Sequence, residues 1–302
     1  MLIDTHCHLN FKVFKSRVDV VLERAREAGV EQVVVVGADL KSSRQGVKLA
    51  ASYDGVWASV GVHPHHVLAY LEKARGQIKM TGESLSEVLE LVLDQVEEEL
   101  GALVNTDKVV AMGEVGLDLY EYQQSQYGQV NEGESEIYLF WQKAFLRRQV
   151  QLAAAHGKAV ILHNRQTVDQ LLEFFYDHPE LVLPQKMVLH CCEPDVRLLE
   201  FAQNIQLFIG VDGDVTYDIA KQEFIRQVPL SMLVLETDSP YMTPEPDRTL
   251  YKEKKEQLKY FERVCEPRHV AVVAEFIAWL KNVTLAEVAH ATTANAKILF
   301  SS

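Results

Sequence analysis

The sequence has few of the features that assign a chain to a special class of protein. No apolar run approaches the ~20 residues that a membrane-spanning helix needs. The first residues show no basic stretch followed by an apolar core, so we expect neither a membrane protein nor a secretory signal. The four cysteines form neither a CxxC pair nor a disulfide framework. They predict reduced thiols and a cytoplasmic location.

Basic residues are also scarce relative to acidic ones. Lysine and arginine number 30 against 43 aspartates and glutamates, which gives a formal charge of −13. A nucleic-acid-binding surface is expected to be basic where it binds. The balance therefore argues against a broad surface of this kind, although it permits a local basic patch.

Short apolar runs alternate with amphipathic segments along the whole chain. Eight of these runs have the nearly continuous apolar character of strands that are buried on both faces, and helical segments separate most of them. Eight β–α units in 302 residues predict an α/β fold, a single (β/α)8 TIM barrel that spans residues 1–302. A doubly wound open sheet is the alternative. The runs are "LID", "QVVVVGAD", "VWASVGVHP", "VVAMGEVGLD", "AVILHNR", "KMVLHCCEP", "QLFIGVDGD" and "SMLVLETDSP".

Two segments look like insertions into this repeating pattern. Residues 67–108 contain "SLSEVLELVLDQVEEELGALV", which predicts an acidic amphipathic helix. Residues 120–135, "YEYQQSQYGQVNEGES", are polar and contain glycine, which is typical of a loop.

Residues of metal-binding type stand at the ends of the predicted strands, where barrel enzymes form their active sites. A single histidine there is more often structural. Six metal-compatible residues at the same end of five different strands are not expected by chance. Imidazole and carboxylate together suit zinc, manganese, iron and related divalent ions. Four histidines and two carboxylates exceed the needs of one tetrahedral ion, so the pattern predicts two ions that share a carboxylate. The residues are His6, His8, Glu114, His163, His190 and Asp238.

Seven segments between residues 4 and 300 resemble the TatD family of metal-dependent hydrolases. They are "DTHCHL", "GVHPH", "GEVGLDLY", "FLRRQVQLAAAHGKAVILHNR", "VLHC", "LVLETDSPYMTP" and "TTANAKILF". The resemblance implies a barrel of the amidohydrolase-like kind, two divalent ions (zinc, manganese, magnesium or cobalt) and hydrolysis of phosphodiesters, typically in DNA. It implies that His6, His8 and Asp238 bind the first ion. It implies that His163 and His190 bind the second and that Glu114 bridges both.

The resemblance also implies which residues meet the substrate. Asp238, with the bridging Glu114, stands at the catalytic positions, and Asp238 is placed to accept a proton from the attacking water. His63, His65 and Arg165 match positions near the substrate phosphate. These residue types suit that role, because a guanidinium is a good bidentate partner for phosphate.

The residues around these motifs differ from the family pattern, and the differences named below all add acidic side chains. The segment "CCEP" introduces Glu193, and "GVDGDVTYD" introduces Asp212, Asp214 and Asp218. Extra carboxylates at the rim of the site would repel a polyanion, because each phosphate contact needs a cation. We therefore expect weaker activity on long DNA than on small diesters.

Three functions remain open from the sequence. The first is a TatD-like deoxyribonuclease. The second is a two-metal hydrolase of a small phosphoester, ester or amide, because an activated water attacks carbonyl carbon as well as phosphorus. The third is a non-catalytic scaffold barrel, which has no need for six aligned metal-binding residues. We expect DNA or a smaller phosphoester as the partner, with no membrane and no obligate protein partner.

Overall fold

The centre of the structure is a ring of eight parallel strands in sequential order. The computed structural model describes residues 1–120 and 135–301. This architecture confirms the predicted (β/α)8 barrel. The doubly wound alternative is wrong, because such a sheet changes strand order at a switch point. The strands are β1 (Leu2–Cys7), β2 (Val30–Val35), β3 (Val56–Val60), β4 (Val109–Asp118), β5 (Ala159–Arg165), β6 (Met187–Leu189), β7 (Phe208–Val211) and β8 (Leu233–Leu235).

Helices follow most strands and cover the outside of the ring. They begin where the sequence supplies capping side chains; Asp39, for example, accepts a hydrogen bond from the amide of Ser42 at the start of the second helix. The helices are α1 (Val18–Glu27), α2 (Leu40–Ser52), α3 (Pro64–Thr81), α4 (Leu85–Val104), α5 (Ser135–Ala155), α6 (Val168–Asp177), α7 (Val196–Asn204), α8 (Ile219–Gln227), α9 (Asp247–Glu253), α10 (Val270–Lys281) and α11 (Leu285–Leu299).

The first predicted insertion, residues 67–108, contains most of α3 and all of α4. The predicted amphipathic helix is confirmed: α4 buries an apolar face and starts with a capping box between Ser84 and Glu87. Its acidic face is partly neutralised by Arg148 of α5, which pairs with three of its carboxylates. That the segment is an insertion stays a prediction. Of the second predicted insertion, 120–135, the residues 121–134 lie outside the described residues.

The described helices were compared with the length and apolarity that a bilayer requires. Taken singly, none of them meets both requirements. One bent pair, Tyr260–Lys281 with Leu285–Leu299, meets them by length and composition alone.

The ring closes where the end of β1 meets the segment after β8. Cys7 and Ser239 form a parallel bridge. The amide of His8 donates to the carbonyl of Ser239 at 2.8 Å, and the amide of Asp238 donates to the carbonyl of His6 at 2.9 Å. Closure therefore brings His6 and His8 next to Asp238, although the chain places them near its opposite ends.

Asp4 ties this seam together from inside. Its side chain is fully buried. Oδ1 accepts hydrogen bonds from the amides of His6 at 3.2 Å and Thr237 at 3.1 Å, and Oδ2 accepts one from the Thr237 hydroxyl at 2.7 Å. Burial raises the pKa of Asp4 well above its usual value, although the bonds from Thr237 act in the opposite direction. Asp4 thus shares its strand face with His6, but its hydrogen bonds join β1 to the segment after β8.

We predict that Asp4→Ala lowers the free energy of unfolding by about 2–4 kcal/mol, because it leaves buried donors without an acceptor. Asp4→Asn should cost less than about 1 kcal/mol, because the amide keeps the shape and an acceptor oxygen. Urea unfolding of metal-free protein measures both changes without interference from bound ions. Equal stability of Asp4→Ala and the unchanged protein would show that the seam does not depend on this carboxylate.

Candidate metal centre

The six predicted metal-binding residues converge at the carboxyl end of the barrel. All except the fully buried His6 line a cavity of about 830 Å³, together with the three residues predicted to meet the substrate. The sequence placed Glu114 at the end of the fourth strand. The structure corrects this, because β4 continues to Asp118 and Glu114 lies within it.

One donor group surrounds a single point near β1. His6 Nε2 lies 3.3 Å from His8 Nε2, and these two atoms lie 3.6 and 3.3 Å from Asp238 Oδ1. Glu114 Oε2 lies 3.5 Å from His6 Nε2 and 3.9 Å from His8 Nε2. Ligand atoms around a tetrahedral ion with bonds of about 2.0–2.2 Å are roughly 3.3–3.6 Å apart. The donor spacing therefore fits a divalent ion of this size.

A second donor group meets the other oxygen of Glu114. Oε1 lies 2.6 Å from His163 Nδ1, 3.5 Å from His63 Nε2 and 3.8 Å from His190 Nε2. His63, Glu114 and His163 form a compact group that could hold an ion. The nearness of His63 to Glu114 was not expected, because the sequence had placed it with the substrate. The two oxygens of Glu114 thus face two different sets of imidazoles.

Two further carboxylates, which do not line the cavity, contact the imidazoles. Asp118 Oδ2 lies 2.8 Å from His163 Nε2 and 3.0 Å from His65 Nε2. Glu236 Oε1 lies 3.0 Å from His190 Nδ1. When one ring nitrogen is held by the protein, the other is presented to the cavity in a fixed orientation. Both carboxylates are almost fully buried, so they act on the imidazoles and not on solvent.

Sequence reasoning missed these two carboxylates, although a signal was present. Side chains two or four positions apart in extended chain share a face. Asp118 stands four positions after Glu114 in "GEVGLD", and Glu236 stands two positions before Asp238 in "ETD". Alternation along β4 could have identified Asp118, whereas Glu236 lies beyond the end of β8, where strand alternation does not apply.

Glycines in "GEVGLD" allow β4 and β5 to approach closely. Gly116 has φ +153°, and a Cβ there would lie 1.9 Å from the carbonyl oxygen of His163. A Cβ on Gly113 would lie 2.6 Å from the side chain of Ile161. Both contacts are too short for any side chain, so glycine at these positions is what lets Glu114 reach His163.

The buried charges shift each other's pKa values. Burial raises the pKa of Glu114, but His63, His6 and His163 outweigh it and hold this pKa well below its usual value. Burial lowers the pKa of His163 and His190, but the carboxylates around them prevail and raise the values to about 9 and about 10. Without a metal these imidazoles hold protons, and a bound cation would take the place of those protons.

The predicted substrate residues lie on the β3 and β5 side of the cavity. His63 caps α3, where its Nδ1 accepts a hydrogen bond from the amide of His65 at 3.1 Å. The guanidinium carbon of Arg165 lies 3.8 Å from the ring centroid of Tyr120, a cation–π contact. All three predicted residues line the cavity, so each can reach a group bound there.

The predicted acidic rim is only partly present. Asp212 is fully buried and accepts a hydrogen bond from the amide of Asp214. Asp214 Oδ2 lies 3.1 Å from the buried ammonium of Lys221, and Asp218 accepts from the Lys221 amide at the start of α8. Of the three carboxylates predicted after β7, Asp212 is therefore buried outside the cavity lining, Asp214 lines the cavity but is paired with Lys221, and Asp218 lines the cavity and is exposed. Glu193 remains half-buried at the cavity edge.

Residues 3–301 match the family model described as TatD related DNase. The chain belongs to this family. It is 30% identical over 302 residues to "Uncharacterized metal-dependent hydrolase YabD" of Bacillus subtilis, with 99% of each chain covered. It is 27% identical to "Deoxyribonuclease TATDN3" of Homo sapiens, in an alignment that covers 99% of this chain and 94% of the human protein.

Solved structures show the same fold. The crystal structure of YJJV, a TatD homologue from Escherichia coli, aligns with a TM-score of 0.76 and 27% identity over 100% of this chain and 98% of that one. A lactonase from Listeria monocytogenes aligns with a TM-score of 0.62 at 12% identity, which bears on the fold alone. These findings confirm the resemblance to TatD proteins and the amidohydrolase-like barrel. As a TatD protein, the chain is a member of a metal-dependent hydrolase family whose histidine and carboxylate clusters are able to bind metal.

We predict that adding Zn²⁺ to the metal-free protein near pH 7.5 releases about two protons per chain. His163 and His190 are protonated at that pH, with pKa values of about 9 and about 10, and an imidazole coordinates a metal only when neutral. Apparent ion affinity should therefore rise with pH towards these values. An indicator dye in weakly buffered solution counts the protons.

Glu236→Gln provides the comparison for this measurement. It removes a carboxylate that raises the pKa of His190, so about one proton fewer should be released. Glu180→Gln, on the exposed surface, should release as many protons as the unchanged protein. Zinc binding without proton release would contradict the charge state assigned to the centre.

Proposed function

We propose that this protein hydrolyses phosphodiester bonds with two divalent ions bound at the carboxyl end of the barrel. The observation that carries the proposal is the position of Glu114, whose two oxygens face separate groups of imidazoles. In this proposal, Glu114 would contribute one oxygen to each ion. His6, His8 and Asp238 would complete the first site, and His163 and His190 the second.

The chemistry divides between the ions and the chain. When bound, two divalent ions would activate an attacking water and neutralise charge on the phosphate. Asp238 supplies the proton acceptor. Burial raises its pKa, but His8, His190 and His6 outweigh burial and lower this pKa, so the carboxylate is ionised at neutral pH. Its side chain is 14% exposed and lines the cavity, where it can accept the proton of a water.

The substrate is proposed to be a nucleic acid diester. Arg165 supports this, because its guanidinium lines the cavity and can bind a phosphate through two parallel hydrogen bonds. His63 and His65 would hold the same group by donating from their rings. Relatives named "Deoxyribonuclease Tat-D" and "Deoxyribonuclease TATDN3" add support. Glu193 and the exposed Asp218 disfavour many successive phosphates, so we propose short or single-stranded segments over long duplex DNA. The four free cysteines fit the proposed cytoplasmic location.

We predict two bound divalent ions per chain, and we predict that each variant changes the number of bound ions differently. Glu114→Ala should lower the occupancy of both ions, because it removes the shared ligand. His190→Ala should mainly remove one. His63→Ala should keep both if His63 contacts the substrate, and His290→Ala, at an exposed position, is the matched histidine control. Elemental analysis after gel filtration gives the counts. Two retained ions in Glu114→Ala would refute the bridge.

We predict that protein loaded with Mn²⁺ hydrolyses bis(p-nitrophenyl) phosphate and short single-stranded DNA. Asp238→Asn should lower the turnover number by about 10²–10⁴-fold, because an amide keeps the shape but does not accept the proton. Ion content measured on the same samples separates loss of the base from loss of the metal. Cleavage of a lactone or an amide with no action on any phosphodiester would overturn the proposed function.

A further inference from the structure

Two aromatic residues stand at the mouth of the metal centre and take no part in it. Phe11 is half-buried and the side chain of Tyr241 is 51% exposed, and both line the cavity. Their ring centroids lie 6.3 Å apart with an angle of 76° between the ring planes. The two rings are therefore close to perpendicular, and this pair, which borders the cavity, is called the aromatic corner below.

Each of these rings is fixed to a candidate metal ligand by one tight turn. The amide of Phe11 donates to the carbonyl of His8 at 2.9 Å, and the amide of Tyr241 donates to the carbonyl of Asp238 at 2.8 Å. The Phe11 ring also stacks on the His8 ring, with centroids 4.5 Å apart and 20° between the planes. The aromatic corner thus has a set position relative to the atoms that would meet the phosphate.

We propose that Phe11 and Tyr241 form a stacking site for one unpaired nucleobase of the substrate. The inference rests on the proposed function, because it concerns the base of the nucleoside that is attached to the phosphate being cleaved. A phosphate held beside His8 and Asp238 leaves its nucleoside within reach of residues three positions further along each segment. Base-on-aromatic stacking is tolerant of sequence, because every base has a flat face.

The chemistry of the corner selects an unpaired base. Inside a duplex, both faces of each base are covered by neighbouring base pairs, so a protein ring can stack only on a terminal or extruded base. Arg165, at the end of β5, lines the same cavity, and its guanidinium can bind the phosphate. A guanidinium and an aromatic pair in one cavity match the two ends of a nucleotide.

The test compares two esters with the same p-nitrophenyl leaving group and the same reacting phosphate. One is thymidine 5′-(p-nitrophenyl phosphate), and the other carries 1,2-dideoxyribose, which lacks the base. With Mn²⁺-loaded protein we expect kcat/KM to favour the thymidine ester about tenfold, within the range measured for stacking on one ring. Tyr241→Ala and Phe11→Ala should bring this ratio to about one or two, whereas Tyr241→Phe should keep it.

A binding measurement gives the same comparison without turnover. Thymidine 5′-monophosphate should bind about tenfold more tightly than 2-deoxyribose 5-phosphate by calorimetry, and Tyr241→Ala should abolish the difference. Tyr176→Ala, which removes an exposed tyrosine from α6, is the matched control and should leave both ratios unchanged.

The outcomes separate the two proposals. A ratio near one in the unchanged protein, or a ratio that Tyr241→Ala and Phe11→Ala leave intact, overturns the stacking site while the phosphodiesterase stands. Absence of hydrolysis of both esters by the metal-loaded protein overturns the proposed function and this inference with it.

Discussion

The carboxylate of Glu114 lies buried between imidazoles that come from around the barrel, and the rest of the site is arranged about it. A buried negative charge is costly unless opposite charge or hydrogen-bond donors surround it. Here the protonated imidazole of His163 supplies that compensation at 2.6 Å from Oε1, and the rings of His6 and His63 lie 3.5 Å from the carboxylate oxygens. The same arrangement directs Oε2 of Glu114 towards His6 and His8, and Oε1 towards His63 and His163. One cation beside each oxygen is the simplest way to balance the charge of both.

Two structural devices make this arrangement possible. Gly113 and Gly116 remove the side chains that would keep β4 away from β5, so Glu114 can meet His163. At the other side of the ring, the buried Asp4 joins β1 to Thr237 after β8 and brings both ends of the chain to one point. The barrel thus supplies fixed positions, and the local sequence supplies the groups that occupy them.

Much of this could be predicted from sequence, because the strand pattern and the strand-end rule are local. Eight apolar runs gave the barrel, and the rule that ligands follow strands gave residues such as His6 and Asp238. The contacts across strands could not be derived in this way. That Asp118 supports both His65 and His163, or that Lys221 neutralises Asp214, depends on register, rotamer and burial. These are set only when distant segments pack together.

The central claim is that Glu114 couples two ions that act together on a phosphodiester. Electron paramagnetic resonance of protein titrated with Mn²⁺, recorded on the same samples as the rate of diester hydrolysis, tests it most directly. The account predicts an exchange-coupled dinuclear spectrum whose intensity rises in step with the rate, and loss of both in Glu114→Gln. Full activity with one equivalent of Mn²⁺ and a spectrum of isolated ions would contradict it.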